Sequence, residues 1–341
     1  MVSGRTRHRG LIAIPSAAPP LEDFEQYLRR ALDDGVGSEP VREQLRHHFG
    51  DGQDGGSRIG KRLRPRLVLA AAQDLGADRA DAMPACAAIE LLHNYSLIHD
   101  DIEDGDRLRH GRETIWSAFG LAHGVNCGDV VGALAYRALT PVSARLGSKT
   151  AAQMSAALAS AHVAMCEGQA ADLDAEHGNR VTVSSYFQTI EGKTAALFAC
   201  SARLGALAAR AAAADVERCA SVGRNFGLQF QIRDDIAGIW DETAATGKTS
   251  GGDIARRKKG FPIVWALEKG PSAERSVIEA AYANPGGDTE TQTVAEVRAA
   301  LESAGAREAS EAAAATCADD ALELAAGLKH VTAFVKAWSG R

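Results

Sequence analysis

Two apolar helical runs, each carried into a pair of adjacent aspartates, constrain this 341-residue chain more than any other feature. The first, ELLHNYSLIHDDIED, occupies residues 90–104, and the second, FGLQFQIRDDIAGIWDE, occupies 226–242. Like charges in neighbouring positions repel, so the fold must either hydrate them or bring cations to them. Asp100 and Asp104 stand four residues apart, so a helix puts both on one face. Asp101 falls about 100° around the helix. Hard divalent cations answer this need: Mg²⁺ takes one or two carboxylates and fills its remaining positions with water and phosphate oxygens. A hydrated acidic helix end satisfies the first run taken alone. The second run, ending in Asp234–Asp235, places another acidic pair at another helix end, so the two can face each other across a cleft.

The rest of the chain is patterned for helix. Ala and Leu are abundant, aromatic residues make up 5%, and Ile, Val and Thr never cluster for long, which favours helix over sheet. The expected fold class is all-α: a disordered segment at 1–18, basic and then Ser/Ala/Pro-rich, precedes a single helical domain over 19–341. LEDFEQYLRRAL aligns Leu21, Phe24, Leu28 and Leu32 on one face. Breaks are expected at 105–111, 147–149, 177–182, 241–252 and 284–288. GDGQDGGSRIG at 50–60 is a glycine-rich loop that follows no strand, so a dinucleotide reading is weak. A net charge of −6 argues against nucleic-acid binding. Cys86, Cys127, Cys166, Cys200, Cys219 and Cys317 form no CxxC pair and no signal peptide is visible, which suits a reducing cytoplasm. The longest uncharged stretch, 150–166, is too short and polar to span a bilayer.

Basic residues follow both acidic pairs: Arg107, Arg109 and Arg112 after the first, Lys248 and 256–259 after the second. A third basic cluster, GKRLRPR, lies at 60–66. Carboxylate, divalent metal and Lys or Arg together make up a diphosphate site. With these residues in view, the chain resembles the trans-isoprenyl diphosphate synthases, or polyprenyl synthetases. The resemblance is carried, in order, by GKRLRP (60–65), ELLHNYSLIHDDIED (90–104), DRLRHGRET (106–114), EGQAADL (167–173), EGKTAALF (191–198) and the region 231–262 from QIRDDIAG to KKGFP.

The resemblance implies an isoprenoid synthase-type helical bundle around a deep central cavity, usually a homodimer. It implies about three Mg²⁺ ions, held by Asp100, Asp104 and Asp234 with Asp101 and Asp235 in support. Lys193 and Lys248 would bind an allylic diphosphate, with Arg109, Thr194, Gln231 and Lys258 nearby. Lys61, Arg64 and His93 would hold isopentenyl diphosphate. Taken singly, these residues have blander readings: Lys61 and Arg64 as a solvated helix face, His93 as a core histidine, Lys193 as a partner of Glu191, Arg257 and Lys259 as an exposed turn. The sequence departs from the family's pattern at Gly238 (for the last acid of the second motif), His110 (for a second Arg), Glu113 (for Pro) and Gly260 (for Thr). Tyr95, five places before the first Asp, stands where the family floors its product pocket, with the smaller Ser96 beside it. The expected product is therefore a C15–C20 prenyl diphosphate, geranylgeranyl diphosphate above others. The departures leave two alternatives: a terpene cyclase of the same fold, or a non-catalytic partner subunit, against which the retained carboxylates argue.

Overall fold

A computed structural model describes residues 21–50, 60–109, 111–177, 181–241, 251–283 and 291–339. The segment 1–18, most of the glycine-rich loop, His110 and Lys248 lie outside the described residues. Helices α1 (Glu22–Asp33), α2 (Glu39–Phe49), α3 (Leu63–Asp74) and α4 (Arg79–Glu103) lead into a short antiparallel hairpin, β1 (Leu108–Arg109) and β2 (Arg112–Glu113). The hairpin is the one sheet among the described residues. Then follow α5 (Ile115–Phe119), α6 (Leu121–Arg137), α7 (Val142–Leu146), α8 (Ser148–His177), α9 (Val183–Ile190), a π-helical turn (Glu191–Ala195), α10 (Ala196–Ala208) and α11 (Ala213–Trp240). The chain closes with α12 (Gly252–Ala255), α13 (Phe261–Lys269), α14 (Ser272–Tyr282), α15 (Thr291–Ser303), α16 (Ala306–Leu324) and α17 (Lys329–Ser339).

The expected face of α1 is buried at Leu21, Phe24, Leu28 and Leu32, each large side chain contributing about 1.5–3 kcal/mol. α10 is buried along most of its length, with Arg203, paired to Glu217, as its one charged residue, and such a helix belongs in the interior. It packs against α3, α4, α8 and α11. Its Phe198 meets Phe226 of α11 edge-on at 5.1 Å, and Phe226 meets Phe334 of α17 at 4.9 Å. This core fixes α4 and α11, the two carriers of the acidic pairs, on either side of α10.

Two expectations change. α11 runs on to Trp240, so Asp234–Asp235 lies more than a turn inside the helix rather than at its end. Lys149, expected in a break, stands in the first turn of α8. The breaks between α6 and α7 and between α10 and α11 escaped the sequence pattern, because Ala-rich runs carry no periodicity to interrupt. Among the described residues no helix is long and apolar enough to cross a membrane, and all six cysteines are free.

Candidate active site

The last turn of α4 places the first acidic cluster. Gly105 adopts φ 68°, its N–H bonding Ile102 O at 3.2 Å while Asp106 N–H bonds Asp101 O at 2.9 Å. This paired closure stops the helix directly after Asp104. The carboxylates thus stand at the negative end of the helix dipole, where anions are disfavoured and a cation is welcome. Burial pushes Asp100 up to about 6, with Asp104 and Glu103 adding to the rise and Lys193 opposing it. Asp101 turns inward, is buried, and takes Arg109 Nε at 2.8 Å and Nη2 at 2.7 Å on one oxygen. Burial also raises its pKa, against the pull of Arg109.

Lys193 faces this cluster from the π-helical turn, a distortion common at functional sites. The turn and α8 meet backbone to backbone: a Cβ on Gly168 would overlap Lys193 N, and one on Gly192 would lie 2.6 Å from Ala164 O. Glycine at both positions lets Lys193 reach Asp172 of α8, with which it pairs. Glu191, its partner in the blander reading, instead bonds Arg224 at 2.6 Å. Burial works against the Lys193 charge, but Asp172, Asp100 and Asp104 hold its pKa above the ordinary value.

Asp234 is exposed, and its charge acts on Lys61. Its neighbour Asp235 is buried and accepts from Tyr186 Oη at 2.5 Å, Phe261 N–H at 2.8 Å and Gln231 Nε2 at 2.9 Å. Gln231 Oε1 in turn accepts from Thr194 Oγ1 at 2.7 Å. Burial pushes Asp235 up to about 7 despite these donors. Thr194, Gln231 and Asp235 therefore form one frame tying α11 to the π-helical turn, to α9 and to the start of α13. A Cβ at position 260 would lie 2.9 Å from Asp235 Cγ, which explains Gly260. At Gly238 the observation runs deeper: a Cβ there would overlap Oδ2 of Asp253, so the Asp253 carboxylate occupies the space beside α11 into which a side chain at 238 would grow. Just beyond α12, Lys258 Nζ lies 3.7 Å from Asp104 Oδ2, bringing the tail of the second region to the first cluster. Arg257 and Lys259 are half-buried rather than an exposed turn, donating to Ala281 O at 3.0 Å and Ala175 O at 2.7 Å.

A second set of charges gathers behind α3. Arg64 stacks over Phe198 at 4.4 Å, its buried Nε without a hydrogen-bond partner. Burial pushes its guanidinium down to about 10, with only Glu90 pulling back. His93 is held well below its ordinary value by burial and by Arg64, Arg109 and Arg62. Burial also lowers Lys61, whose Nζ lies 6.0 Å from the Trp338 ring centre. Arg64 lies in the interior rather than on a solvated helix face, Lys61 is half-buried, and His93 is a buried imidazole beside Arg64.

Between α4 and α8 a cavity of about 150 Å³ is lined by Tyr95, Ser96, His99, Met165 and Leu173, with Asp100 and Lys193 at one end. Tyr95 packs edge-on against His99 at 4.5 Å and His162 at 4.7 Å, and a Cβ on Gly132 of α6 would lie 3.0 Å from its ring.

The structure thus brings together Asp100, Asp101, Asp104, Lys193, Asp234 and Asp235 with Arg109, Thr194, Gln231 and Lys258, and sets Lys61, Arg64 and His93 beside them. Sequence reasoning missed Asp172 and Asp253, although EGQAADL and GGD were both visible signals. Among the described residues no three acidic, His or Cys groups converge tightly enough to hold an ion unaided. Asp100 and Asp104, on one face of the last turn of α4, supply the one or two carboxylates that a Mg²⁺ ion shared with a phosphate takes.

The polyprenyl synthetase family model matches residues 55–302. The chain is 36% identical to the geranylgeranyl diphosphate synthase of Mycobacterium tuberculosis (strain ATCC 25618 / H37Rv) over 307 residues, 89% of this chain and 85% of that one. It is 34% identical to the (2E,6E)-farnesyl diphosphate synthase of Mycobacterium bovis over 82% of this chain and 83% of the relative. The crystal structure of the polyprenyl synthetase from Streptomyces coelicolor A3(2) superposes with a TM-score of 0.83 at 31% identity, covering 94% of this chain and 97% of that one.

Proposed function

From the premise that the chain belongs to the polyprenyl synthetase family and is a trans-prenyltransferase, we propose that it condenses isopentenyl diphosphate with an allylic diphosphate to give geranylgeranyl diphosphate. Two unlike charged clusters side by side carry this reading. One is acidic, suited to a metal-bridged diphosphate; the other is basic, with an unpaired buried Arg64 Nε suited to a bare one. Two diphosphates are what chain elongation requires, whereas a cyclase binds one.

Asp100, Asp104 and Asp234 would hold Mg²⁺, about three ions per site, supplying positive charge to the departing diphosphate. Lys193 and Lys248, with Arg109 and Lys258 nearby, take the remaining oxygens of the allylic diphosphate. Lys61, Arg64 and His93 hold the isopentenyl diphosphate. The allylic C1–O bond breaks and diphosphate leaves with the electron pair. The isopentenyl double bond attacks C1, and the departing diphosphate accepts the proton then lost. Fixed cations aimed at the charge as it develops are the main source of acceleration. Asp101 and Asp235 hold Arg109 and Gln231 in place rather than touching substrate. The tail enters the cavity floored by Tyr95.

A homodimer follows the family reading, and the exposed apolar side chains of Leu121 (59%), Val125 (43%) and Val163 (58%) support an interface on α6 and α8. The free thiols suit a cytoplasmic location. The test is incubation with Mg²⁺ and geranyl or farnesyl diphosphate, with and without isopentenyl diphosphate. A C20 diphosphate formed only with isopentenyl diphosphate is expected. A hydrocarbon or alcohol from one allylic diphosphate alone means a cyclase, and no turnover at all means a partner subunit.

A further inference from the structure

The end of α2 is tied to the body of the protein at three points by residues on one helix face. Gln44 Nε2 donates to His123 Nδ1 of α6 at 3.1 Å, and His47 Nε2 donates to Glu113 O of β2 at 2.7 Å. His48 Nε2 meets Asn94 Oδ1 of α4 at 3.0 Å. The direction of this last bond is fixed by its surroundings. The Asn94 amide N–H groups already serve Glu90, at 2.8 Å to its backbone oxygen and 3.2 Å to Oε1. Asn94 Oδ1 is therefore the acceptor and His48 the donor. Glu90 is held in turn by Arg62 Nη1 at 2.5 Å, and Arg62 Nε bonds Glu25 of α1 at 2.8 Å.

This buried polar chain ends beside the basic cluster of Arg64, His93 and Lys61. Asn94 is the residue after His93, and His48 acts electrostatically on His93. β2 pairs with β1, the strand that carries Arg109. The two adjacent histidines of α2 therefore bond two elements: His47 the hairpin that carries Arg109, and His48 the α4 turn that carries His93.

We infer that His48 is a positioning residue for the second diphosphate, holding α2 and the Asn94 turn of α4 so that Arg64, His93 and Lys61 converge. The inference rests on the two-diphosphate reading. The His48 bond to α4 falls at Asn94, six residues before Asp100, so it acts on the His93 turn rather than on the acidic end of that helix.

The test measures isopentenyl diphosphate binding by calorimetry and steady-state KM for both substrates, using the full chain. His48→Ala is expected to weaken isopentenyl diphosphate binding and raise its KM about tenfold, the usual scale for a supporting partner, while the allylic KM moves less than twofold. His48→Gln, which can present an amide N–H near the Nε2 position, is expected to recover most of the loss. If His48→Ala does not fold, His48→Asn, too short to reach Asn94, takes its place with the same expected loss. Arg42→Ala removes the bond to Val36 O at the other end of α2 and is expected to leave both KM values alone. Unchanged binding in His48→Ala, no recovery in His48→Gln, or an equal shift in Arg42→Ala overturns the inference. If the wild type binds no isopentenyl diphosphate, the two-diphosphate reading falls as well; if it binds and His48→Ala binds equally, the inference alone falls.

Discussion

The two aspartate pairs solve the same problem with different materials. In each pair one carboxylate faces the cleft and the other turns into the protein to hold a frame. Asp101 fixes Arg109; Asp235 fixes Tyr186, Gln231 and the start of α13. The difference lies in the third acid. The first cluster supplies its own, Asp104, one helical turn beyond Asp100. The second has Gly238 at that place, and Asp253 of α12 fills the space instead. One site is written in a single helix, while the other is assembled across two elements. A motif read along the chain finds the first whole and the second apparently damaged.

The largest effect expected is on the cleft side of the first pair. Asp100→Ala should lower kcat about a hundredfold to a thousandfold, the usual scale for losing a group that stabilises developing charge. Rates within tenfold of wild type would remove Asp100 from the metal site. Next comes the borrowed acid. Gly238→Asp restores the family's motif on paper, yet it should cost activity about tenfold or more, because the new side chain must displace the Asp253 carboxylate. Pairing it with Asp253→Gly should recover most of the loss. A more active single variant would show that the two carboxylates are not competing for one space.

A smaller effect concerns pH. Asp100, held up to about 6 from an ordinary 3.8 by burial, binds a proton in the native state that the unfolded chain has already lost. Between about pH 4 and 6 the native state is therefore the more protonated one, and stability falls as pH rises. Relative to wild type without metal, Asp100→Asn should gain melting temperature across that window; a constant or shrinking difference contradicts the assignment. The mildest change expected is in product length. Tyr95→Ala should lengthen the product by about one isoprene unit. Gly128→Ala should shorten it, because a Cβ there overlaps the His99 ring at the cavity wall. Chromatography of the dephosphorylated products decides both, and an unchanged length in Tyr95→Ala removes it as the floor.

Legibility in the sequence followed locality. The all-α fold, the buried face of α1 and the first acidic cluster were readable because each depends on spacing within one helix. Lys193 was found through its segment, but its bond to Asp172 was not legible: that bond depends on Gly168 and Gly192 letting α8 and the π-helical turn touch, a tertiary fact. Asp253 was hidden for a related reason, since only the packing of α12 on α11 shows that Gly238 leaves room for it. His48 gave no signal of its own, because a histidine gains meaning from the asparagine it meets on another helix. The second pair was placed at a helix end because the apolar pattern weakens there, whereas α11 continues through Gly238 to Trp240.

The central claim is that each pair divides its labour, one carboxylate for the metal–diphosphate and one for the frame. Asn substitutions at Asp100, Asp101, Asp234 and Asp235, each examined for Mg²⁺-dependent diphosphate binding by calorimetry and for melting temperature, test it most directly. Asp100→Asn and Asp234→Asn should lose at least tenfold in binding while melting no lower than wild type. Asp235→Asn should melt several degrees lower, since both its oxygens accept from buried donors and one donor would then face an amide N–H, a cost of about 1–3 kcal/mol; Asp101→Asn keeps an oxygen for Arg109 but loses the charge of the pair, and should melt lower by a smaller amount. Four variants that lose binding and stability alike, or the opposite assignment within either pair, would contradict the account.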